Sequence, residues 1–234
     1  MDSGSDTNGA RRPVAARPTM TDLAAAVGVT KSTVSRAFSR PELLGAETVA
    51  RIRDVAARIG YVPNRAARGL STGRYGNIAM LVPDIANPFF PPLIRAAQVA
   101  ADGHDACMFL GNSDEDPAQE DRLVGRFLGQ VDGLILVASR MSEAAIRDYA
   151  QACPLVLVNR DVPGIPRILI DSGPAVAEAV AHLAAFGHRR IVYVGGPVTS
   201  WAEMERREAV TQAAARLDLT LDLMALHRPA YGAG

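Results

Sequence analysis

Residues 19–39 read TMTDLAAAVGVTKSTVSRAFS, and this stretch decides the fold of the amino-terminal part of the chain. Thr21 can cap a short helix over residues 22–27, because its hydroxyl can accept from the free backbone N–H groups of the first turn. Asp22 then lies at the positive helix end, where a carboxylate is favourable. Gly28 ends this helix and begins a tight turn.

Two further helices follow the turn. Thr30 is predicted to cap a second helix from Lys31 to about Phe38, whose apolar side chains share one face at i, i+3 and i+4 spacing. A third helix is predicted from about residue 46 to residue 59, and Gly60 marks its end. Three helices this close together, the first two joined by a glycine turn, indicate a helix-turn-helix module.

The polar face of the second helix is a candidate DNA-contacting surface. Lys31, Ser32, Ser35 and Arg36 lie opposite the apolar face, the first two of them in the first turn. The first residues of a recognition helix touch base edges in the major groove, and Lys and Arg pair there with guanine or with phosphate. The alternative is that these residues form the solvated surface of a small helical bundle.

From Asn77 onwards, short apolar runs alternate with longer helical stretches. Near-continuous Val, Ile and Leu runs alternating with helices predict an α/β fold, in which a doubly wound parallel sheet is covered on both faces. Strands are expected at residues 78–82, 106–110, 134–137, 155–158, 168–170 and 191–194. Helices are expected at about residues 91–101, 117–128, 142–152, 175–186 and 201–217. Ligands of such sheets bind beyond the carboxyl ends of the strands.

Charge is unevenly distributed, although the chain as a whole is neutral. Residues 1–76 contain 12 Lys and Arg against 6 Asp and Glu, a net charge of +6. Residues 77–234 contain 13 against 19, a net charge of −6. This asymmetry favours a basic module for a polyanion joined to an acidic body with a second task.

Several classes of protein are excluded by composition. With 48% hydrophobic and 21% charged residues, the chain is typical of a globular protein. No apolar run approaches the roughly 20 residues that cross a bilayer, and no secretory signal is recognisable, so a cytoplasmic protein without a membrane partner is expected. Cys107 and Cys153 are too few for a disulfide framework and are expected to be core thiols. No catalytic or cofactor motif occurs, so neither an enzyme nor a cofactor or metal site is expected.

A set of ordered motifs resembles the LacI-type (LacI/GalR) family of transcriptional repressors over residue 19 to about residue 210. The amino-terminal motifs are TMTDLA at 19–24, GVTKSTVSR at 28–36 and YVPNRAAR at 61–68. The later motifs are NPFF at 87–90, VDGLI at 131–135, GHRRI at 187–191 and GGP at 195–197. The resemblance implies a disordered leader (1–18), a DNA-binding head (19–62), a hinge helix or linker (63–74) and an effector-binding core (75–234). The core would have a first lobe at about 75–170 and a partial second lobe at about 171–234.

The resemblance implies a DNA-contacting set in the head and hinge. Residues of the head and hinge would bind a palindromic double-stranded operator as a homodimer. Leu70 matches the hinge leucine that wedges into the minor groove and kinks the duplex. The implied DNA-binding residues are Thr21, Thr30, Lys31, Ser32, Thr33, Ser35, Arg36, Asn64, Ala67 and Leu70.

For the core, the resemblance implies a two-lobed fold similar to periplasmic sugar-binding proteins. An aromatic wall with amide, carboxylate and guanidinium groups around it suits a sugar or related metabolite, which has an apolar ring face and a polar rim. The implied effector-binding residues are Asp84, Asn87, Phe89, Phe90, Asn159, Arg160, Asp171 and Arg206.

The chain differs from the family pattern in length, since family members usually extend further. It resembles a carboxyl-terminally truncated member, and one strand of the second lobe, at residues 191–194, is expected. A truncated or non-functional fragment, a sugar-binding protein without regulatory activity and a sugar-processing enzyme are the alternatives. The effector, the operator sequence and the sign of regulation are left open by the residues.

Overall fold

A computed structural model of the protein describes residues 17–63 and 73–226. The described chain divides into two units, residues 17–63 and residues 73–226. Residues 1–16 of the expected leader lie outside the described residues, as do the predicted hinge positions Asn64, Ala67 and Leu70.

The first unit contains the three predicted helices. Helix α1 spans Met20–Val27, α2 spans Lys31–Ser39 and α3 spans Ala46–Ile59, with a single 3₁₀ turn at Pro41–Leu43 between the last two. Gly28 ends α1 with a φ of 76°, a left-handed conformation that costs glycine little. The predicted helix-turn-helix module is therefore confirmed.

The prediction that Thr21 caps α1 is wrong, because Thr19 occupies the N-cap. Thr19 has extended backbone angles, and its hydroxyl accepts from the Asp22 backbone N–H at 3.3 Å. The Asp22 carboxylate accepts in return from the Thr19 backbone N–H at 2.8 Å. This reciprocal pair forms a capping box, which places Thr21 inside the first helical turn. The Thr19 bonds also hold the pKa of Asp22 below its usual value.

A small apolar core holds the three helices together. Leu23, Val34 and Ile52 contribute one fully buried side chain each from α1, α2 and α3. Tyr61 closes this core beyond α3, with its ring centroid 5.9 Å from that of Phe38. Burial of the Tyr61 phenol raises its pKa. The head therefore carries a core of its own, built from the apolar faces that the sequence predicts.

The second unit is built on a five-stranded parallel sheet with the order β2-β1-β3-β4-β5. Its strands and helices alternate along the chain, as the sequence predicts. The strands are β1 (Asn77–Val82), β2 (Cys107–Asn112), β3 (Gly133–Val137), β4 (Leu155–Val158) and β5 (Arg167–Ile168). The intervening helices are α4 (Phe90–Asp102), α5 (Pro117–Phe127) and α6 (Glu143–Ala152).

Both faces of this sheet are covered. Ala79 and Leu81 of β1 belong to a core packed against α5 and α6, whereas Met80 and Val82 belong to the opposite core against α4. Alternate residues of a strand point to opposite faces, so a strand buried on both faces reads as one continuous apolar run. The α/β class and the doubly wound arrangement are thus confirmed.

A second, smaller layer follows the five-stranded sheet. It comprises α7 (Gly173–Ala185), β6 (Arg190–Gly195), α8 (Trp201–Arg216) and β7 (Thr220–Ala225), with β6 and β7 forming a parallel pair. The expectation of a single strand in this part is wrong, since β7 pairs with β6 along its whole length. Most residues of β7 are exposed and one is Asp222, so this strand lacks the apolar run that marks a buried strand.

Two smaller expectations also need correction. The strand expected at 168–170 is limited to the two residues of β5, because Leu169 and Ile170 continue as irregular chain towards α7. Cys107 is exposed on β2 rather than buried, whereas Cys153 is buried and its burial raises the pKa of the thiol. Within residues 17–63 and 73–226, none of the helices is long and apolar enough to cross a membrane.

Candidate functional site

The exposed face of α2 is the first candidate site. Lys31, Ser32, Ser35 and Arg36 are all exposed. Val34 on the opposite side is fully buried, so the amphipathic division of this helix is the one the sequence predicts. Neither cation takes part in an ion pair seen within the described part of the chain. Two cations and two hydroxyls are therefore presented together on one helical surface.

The amino-terminal end of α2 adds an anion-attracting feature to this face. Thr30 is its N-cap, accepting from the Thr33 backbone N–H at 3.2 Å. The Thr30 hydroxyl also lies 2.9 Å from the hydroxyls of Ser32 and Thr33. The first turn contains no acidic residue, so the positive end of the helix is not compensated there. A phosphate group would be stabilised at such an end.

The second candidate site is a cavity of about 380 Å³ at the carboxyl ends of the strands. Its position agrees with the expectation for a parallel sheet, and its volume suits a small ligand. Several loops that follow strands contribute to it, together with the start of α8. The lining residues are Asn87, Phe89, Phe90, Glu115, Ala138, Arg140, Asn159, Ile170, Ser172, Gly196, Pro197, Ser200, Ala202 and Arg206.

Two phenylalanines form one wall of this cavity. Phe89 is 50% exposed, whereas Phe90 is only 5% exposed and also belongs to the core beneath α4. Their rings meet edge to face with centroids 5.2 Å apart, a favourable arrangement for two aromatic rings. The side-chain oxygen of Asn87 accepts from the Phe89 backbone N–H at 3.0 Å and so fixes the start of this wall.

Arg140 is held by a buried carboxylate at the wall formed after β2 and β3. Its Nη2 and Nε lie 2.6 and 2.7 Å from Oε2 of Glu115, and both side chains are about nine-tenths buried. Its Nη1 donates to the Ala138 carbonyl at 3.0 Å. The Arg140 backbone N–H donates to Glu120, whose burial raises the pKa of that carboxyl. The guanidinium is thus fixed in position and paired.

Arg206 also has a carboxylate partner, at the wall formed by α8, although its side chain is 37% exposed. Its Nη2 donates to Oε2 of Glu203 at 3.3 Å, and the same oxygen accepts from the Tyr193 hydroxyl at 2.9 Å. Glu203 is 1% exposed. Arg207, which does not line the cavity, has its Nε 3.9 Å from the other carboxylate oxygen. Burial, followed by the bond to Glu203, raises the pKa of Tyr193.

Three residues of the predicted effector set lie outside the cavity lining. Asp84 accepts from the Ala86 backbone N–H at 2.9 Å, and Asp171 accepts from the Gly173 backbone N–H at 3.2 Å. Both carboxylates therefore stabilise local turns. The Arg160 Nη2 lies 3.5 Å from the Met141 carbonyl oxygen, at the limit of a hydrogen bond. The structure brings together the other five: Asn87, Phe89, Phe90, Asn159 and Arg206.

Asn159 has a structural contact within the cavity wall. Its side-chain oxygen accepts from the Ile170 backbone N–H at 3.3 Å, which ties the end of β4 to the chain beyond β5. Asn159, Ala138 and Glu115 all have positive φ angles, at 57°, 46° and 61°. Left-handed backbone is unusual for residues other than glycine and accumulates at ligand sites. Three strained residues around one cavity support its assignment as a binding site.

Sequence reasoning missed the glutamates that pair with the two cavity arginines. Glu115 follows the strand expected at residues 106–110, at the sheet edge where ligands bind, so this position carried a weak signal. Glu203 carried a misleading one, since Ser200-x-x-Glu203 is a capping-box pattern. Ser200 does cap α8, accepting from the Glu203 backbone N–H at 3.3 Å. The Glu203 carboxylate points elsewhere, to Tyr193 and Arg206.

Both units match family models. Residues 75–233 match the model for periplasmic binding proteins and the sugar binding domain of the LacI family. Residues 19–64 match the model for bacterial regulatory proteins of the lacI family. The match in the head includes α2 and its exposed face, and the match in the core includes every residue that lines the cavity.

Individual proteins show the same likeness. The HTH-type transcriptional repressor CytR of Escherichia coli (strain K12) is 31% identical over 208 residues, covering 87% of this chain. The chain spans 61% of the length of that relative. A crystal structure of the lac repressor dimer, bound to operator and the anti-inducer ONPF, has a similar fold (TM-score 0.74, 24% identity, 90% of this chain and 65% of that chain).

A sugar complex also resembles the chain. It is the periplasmic binding protein/LacI transcriptional regulator from Alkaliphilus metalliredigens QYMF, crystallised with D-xylulofuranose. Its TM-score is 0.60 at 25% identity, and the match covers 66% of this chain and 58% of that chain. The lac repressor match covers 90% of this chain and therefore includes parts of both units.

Proposed function

The chain belongs to the LacI family of bacterial regulatory proteins, and from this premise we propose that it is a sequence-specific DNA-binding transcriptional repressor of the cytoplasm. It binds a palindromic operator as a homodimer and responds to a small sugar-like effector. The observation that carries the proposal is the exposed face of α2, which presents Lys31, Ser32, Ser35 and Arg36 on a helix whose amino terminus has no acidic residue to compensate it.

DNA contact is assigned to this face on physical grounds. Lys31 and Arg36 are exposed and can reach guanine edges or phosphates. Thr30, Ser32 and Thr33 supply hydroxyls at the helix end that favours anions. The relatives support this assignment, since CytR is a transcriptional repressor and the lac repressor was crystallised as a dimer on its operator. Thr21 on α1 and the hinge residues Asn64, Ala67 and Leu70 complete the proposed DNA-contacting set.

Effector binding is assigned to the cavity at the strand ends. The exposed ring of Phe89 offers an apolar surface for the face of a sugar ring, and Asn87, Ser172 and Arg206 supply polar groups around it. The relative crystallised with D-xylulofuranose supports a sugar-like ligand. Asp84, Arg160 and Asp171 complete the proposed effector-binding set, and the carboxylates of Asp84 and Asp171 also hold local turns. The proposed role is binding without turnover, so conversion of a bound sugar would contradict it.

The DNA-binding proposal is tested by titrating a fluorescent duplex at several salt concentrations. Each phosphate contact that is lost should reduce the slope of log K against log salt by about 1. Lys31→Ala and Arg36→Ala should each weaken binding and flatten this slope or relax base preference. Arg58→Ala is the matched control, because Arg58 lies on α3 and is already paired with Asp54 at 3.0 Å. Equal affinity of all four proteins would refute the proposal.

The effector role is tested separately by thermal unfolding of the 234-residue chain with a panel of uncharged sugars. A ligand that binds only the folded state raises the unfolding midpoint as its concentration rises. Arg206→Ala should abolish that rise while leaving DNA binding unchanged. A sugar that stabilises wild type and Arg206→Ala equally would bind outside the cavity and would contradict the assignment.

A further inference from the structure

Both arginines that line the cavity are paired with buried glutamates. Arg140 comes from the β3–α6 loop and pairs with Glu115, and Arg206 comes from α8 and pairs with Glu203. The exposed fractions of the two glutamate side chains are 10% and 1%. The two pairs lie on segments well separated in sequence and both contribute to one cavity. Each of the two guanidinium groups therefore has a carboxylate beside it, and Glu203 also lies near Arg207, which does not line the cavity.

One helix end at the cavity, that of α8, is compensated in the same way. A helix amino terminus attracts anions unless an acidic residue lies in its first turn. Glu203 is the third residue of α8 and lies in that turn. The first turns of α4 and α7 contain no acidic residue, although Asp171 accepts from the Gly173 backbone N–H beside the cavity residue Ser172. The start of α8 thus differs from the start of α2, where no acidic residue offsets the helix end.

We propose that the Glu115–Arg140 and Glu203–Arg206 pairs make the cavity selective for an uncharged polyhydroxylated ligand and reject carboxylated or phosphorylated sugars. This rests on the proposed effector function of the same cavity and narrows its ligand class. The paired arginines keep N–H groups that can donate to hydroxyls. A second anion would compete with a glutamate for each guanidinium and would meet like-charge repulsion in a partly desolvated site.

Glu115 and Glu203 are accordingly specificity-determining residues that act through the arginines. Glu203 is the more informative of the two, because its carboxylate also accepts from the Tyr193 hydroxyl. Replacing Glu203 by glutamine retains an oxygen acceptor for Tyr193 and removes the negative charge beside Arg206. The same change releases the neighbouring Arg207, whose Nε lies 3.9 Å from the carboxylate. A carboxylate or phosphate would then meet two guanidinium groups without the carboxylate that pairs with both in the wild-type protein.

The experiment is isothermal titration calorimetry, which gives the dissociation constant of the 234-residue chain for inorganic phosphate, D-gluconate and D-glucose at constant ionic strength. For wild type we expect weak binding of phosphate and gluconate that Arg206→Ala does not change, because it takes place outside the cavity. Glu203→Gln should bind phosphate about tenfold more tightly than wild type, which corresponds to about 1.4 kcal/mol. Glu205→Gln is the matched control, because it removes one negative charge from an exposed position of the same helix. The double variant Glu203→Gln/Arg206→Ala should lose the gained binding.

Two results would overturn the proposal. The first is saturable binding of phosphate or gluconate to wild type that Arg206→Ala removes. The second is that Glu203→Gln binds phosphate no more tightly than Glu205→Gln does. If circular dichroism shows that Glu203→Gln is unfolded, the same comparison is made with Glu115→Gln. A protein that fails to bind DNA, or that responds to no uncharged sugar, would contradict the proposed function. It would leave the proposed exclusion of anions by the two glutamates in place, because phosphate binding is measured without DNA and without a sugar.

Discussion

Replacing Gly195 by alanine should displace the Glu203 side chain, because the carboxylate of Glu203 occupies the space that the new methyl group needs. A Cβ at Gly195 would overlap Oε1 of Glu203 and lie 2.9 Å from its Cδ and 2.8 Å from Cε1 of Tyr193. The φ angle of Gly195 is not in the left-handed region, so its backbone can accept alanine without strain. The whole effect of the substitution must therefore come from the carboxylate and the ring that it displaces.

The size of the effect follows from the contacts that would be lost. Overpacking a well-packed site costs about 1–3 kcal/mol. Displacing the carboxylate also breaks its hydrogen bond from Tyr193, worth about 1.5–3 kcal/mol for a charged partner. Part of each cost is relieved by relaxation, so we expect a loss of about 3 kcal/mol. For a domain of this size that corresponds to a midpoint lower by roughly 6–12 °C.

The single tryptophan makes the measurement local, because Trp201 is the first residue of α8. Urea unfolding followed by Trp201 fluorescence gives the free energy of unfolding for each variant. Gly196→Ala is the control, since its Cβ would meet Glu203 at an ordinary contact distance of 3.8 Å and should change stability by at most about 0.5 kcal/mol. In the double variant Gly195→Ala/Glu203→Ala the clash with the carboxylate is absent and only the contact with Tyr193 remains, so a coupling of at least about 1 kcal/mol is expected.

Two outcomes would refute this reasoning. Gly195→Ala and Gly196→Ala could unfold at the same urea concentration, which would mean that Glu203 does not occupy the space beside Gly195. The costs of the single substitutions at Gly195 and Glu203 could also add without coupling. That result would mean that the alanine acts through some contact other than the carboxylate.

Three further predictions concern sites away from the cavity. Thr19→Ala should lower the free energy of unfolding of the head by about 1 kcal/mol, because Thr19 caps α1, whereas Thr21→Ala should not. Urea unfolding followed by circular dichroism measures both, and a larger loss in Thr21→Ala would show that Thr21 is the cap. Asp132 accepts hydrogen bonds from the Tyr75 and Gly76 backbone N–H groups at 2.7 and 2.8 Å. Asp132→Asn should therefore speed hydrogen exchange at those two amides, and unchanged exchange would show that Asp132 does not hold them. The hydrogen bond to Asp121 raises the pKa of Tyr149 to about 12 from the ordinary 10.0. The unfolded chain therefore releases this proton first, so the stabilisation is complete below pH 10 and is lost as pH rises through about 12. In a tyrosinate absorbance titration, the step at about pH 12 should move to lower pH in Asp121→Asn, and an unchanged titration would contradict the assignment.

The head could be predicted almost completely from sequence because its signals are local. Helical spacing placed the apolar faces of α2 and α3, and Gly28 and Gly60 marked the ends of α1 and α3. The error at Thr21 arose because two threonines two residues apart can both serve as a cap. The choice between them depends on whether Asp22 can bond back to the cap backbone, which selects Thr19.

The cavity could be predicted only in part because its decisive contacts are not local. The strand ends indicated where Asn159 and Arg140 would lie. No pattern in the sequence indicates that Arg140 meets Glu115, which is 25 residues away, with its Nε at 2.7 Å. Sequence spacing likewise could not separate Arg206, which lines the cavity, from Arg160, which points to the Met141 carbonyl.

The two glutamate–arginine pairs require an explanation other than stability. Removing two charges from water costs several kcal/mol per ion, and apolar replacements of buried pairs are often neutral or stabilising. A fold that only needed a firm cavity wall could use such residues at positions 115 and 203. Here each pair holds its donors in place with a carboxylate beside the guanidinium, and Glu115 adopts a left-handed backbone conformation to do so. A wall that keeps its donors while cancelling their charge has a physical advantage when the ligand to be held carries hydroxyls and the ligands to be rejected carry acids.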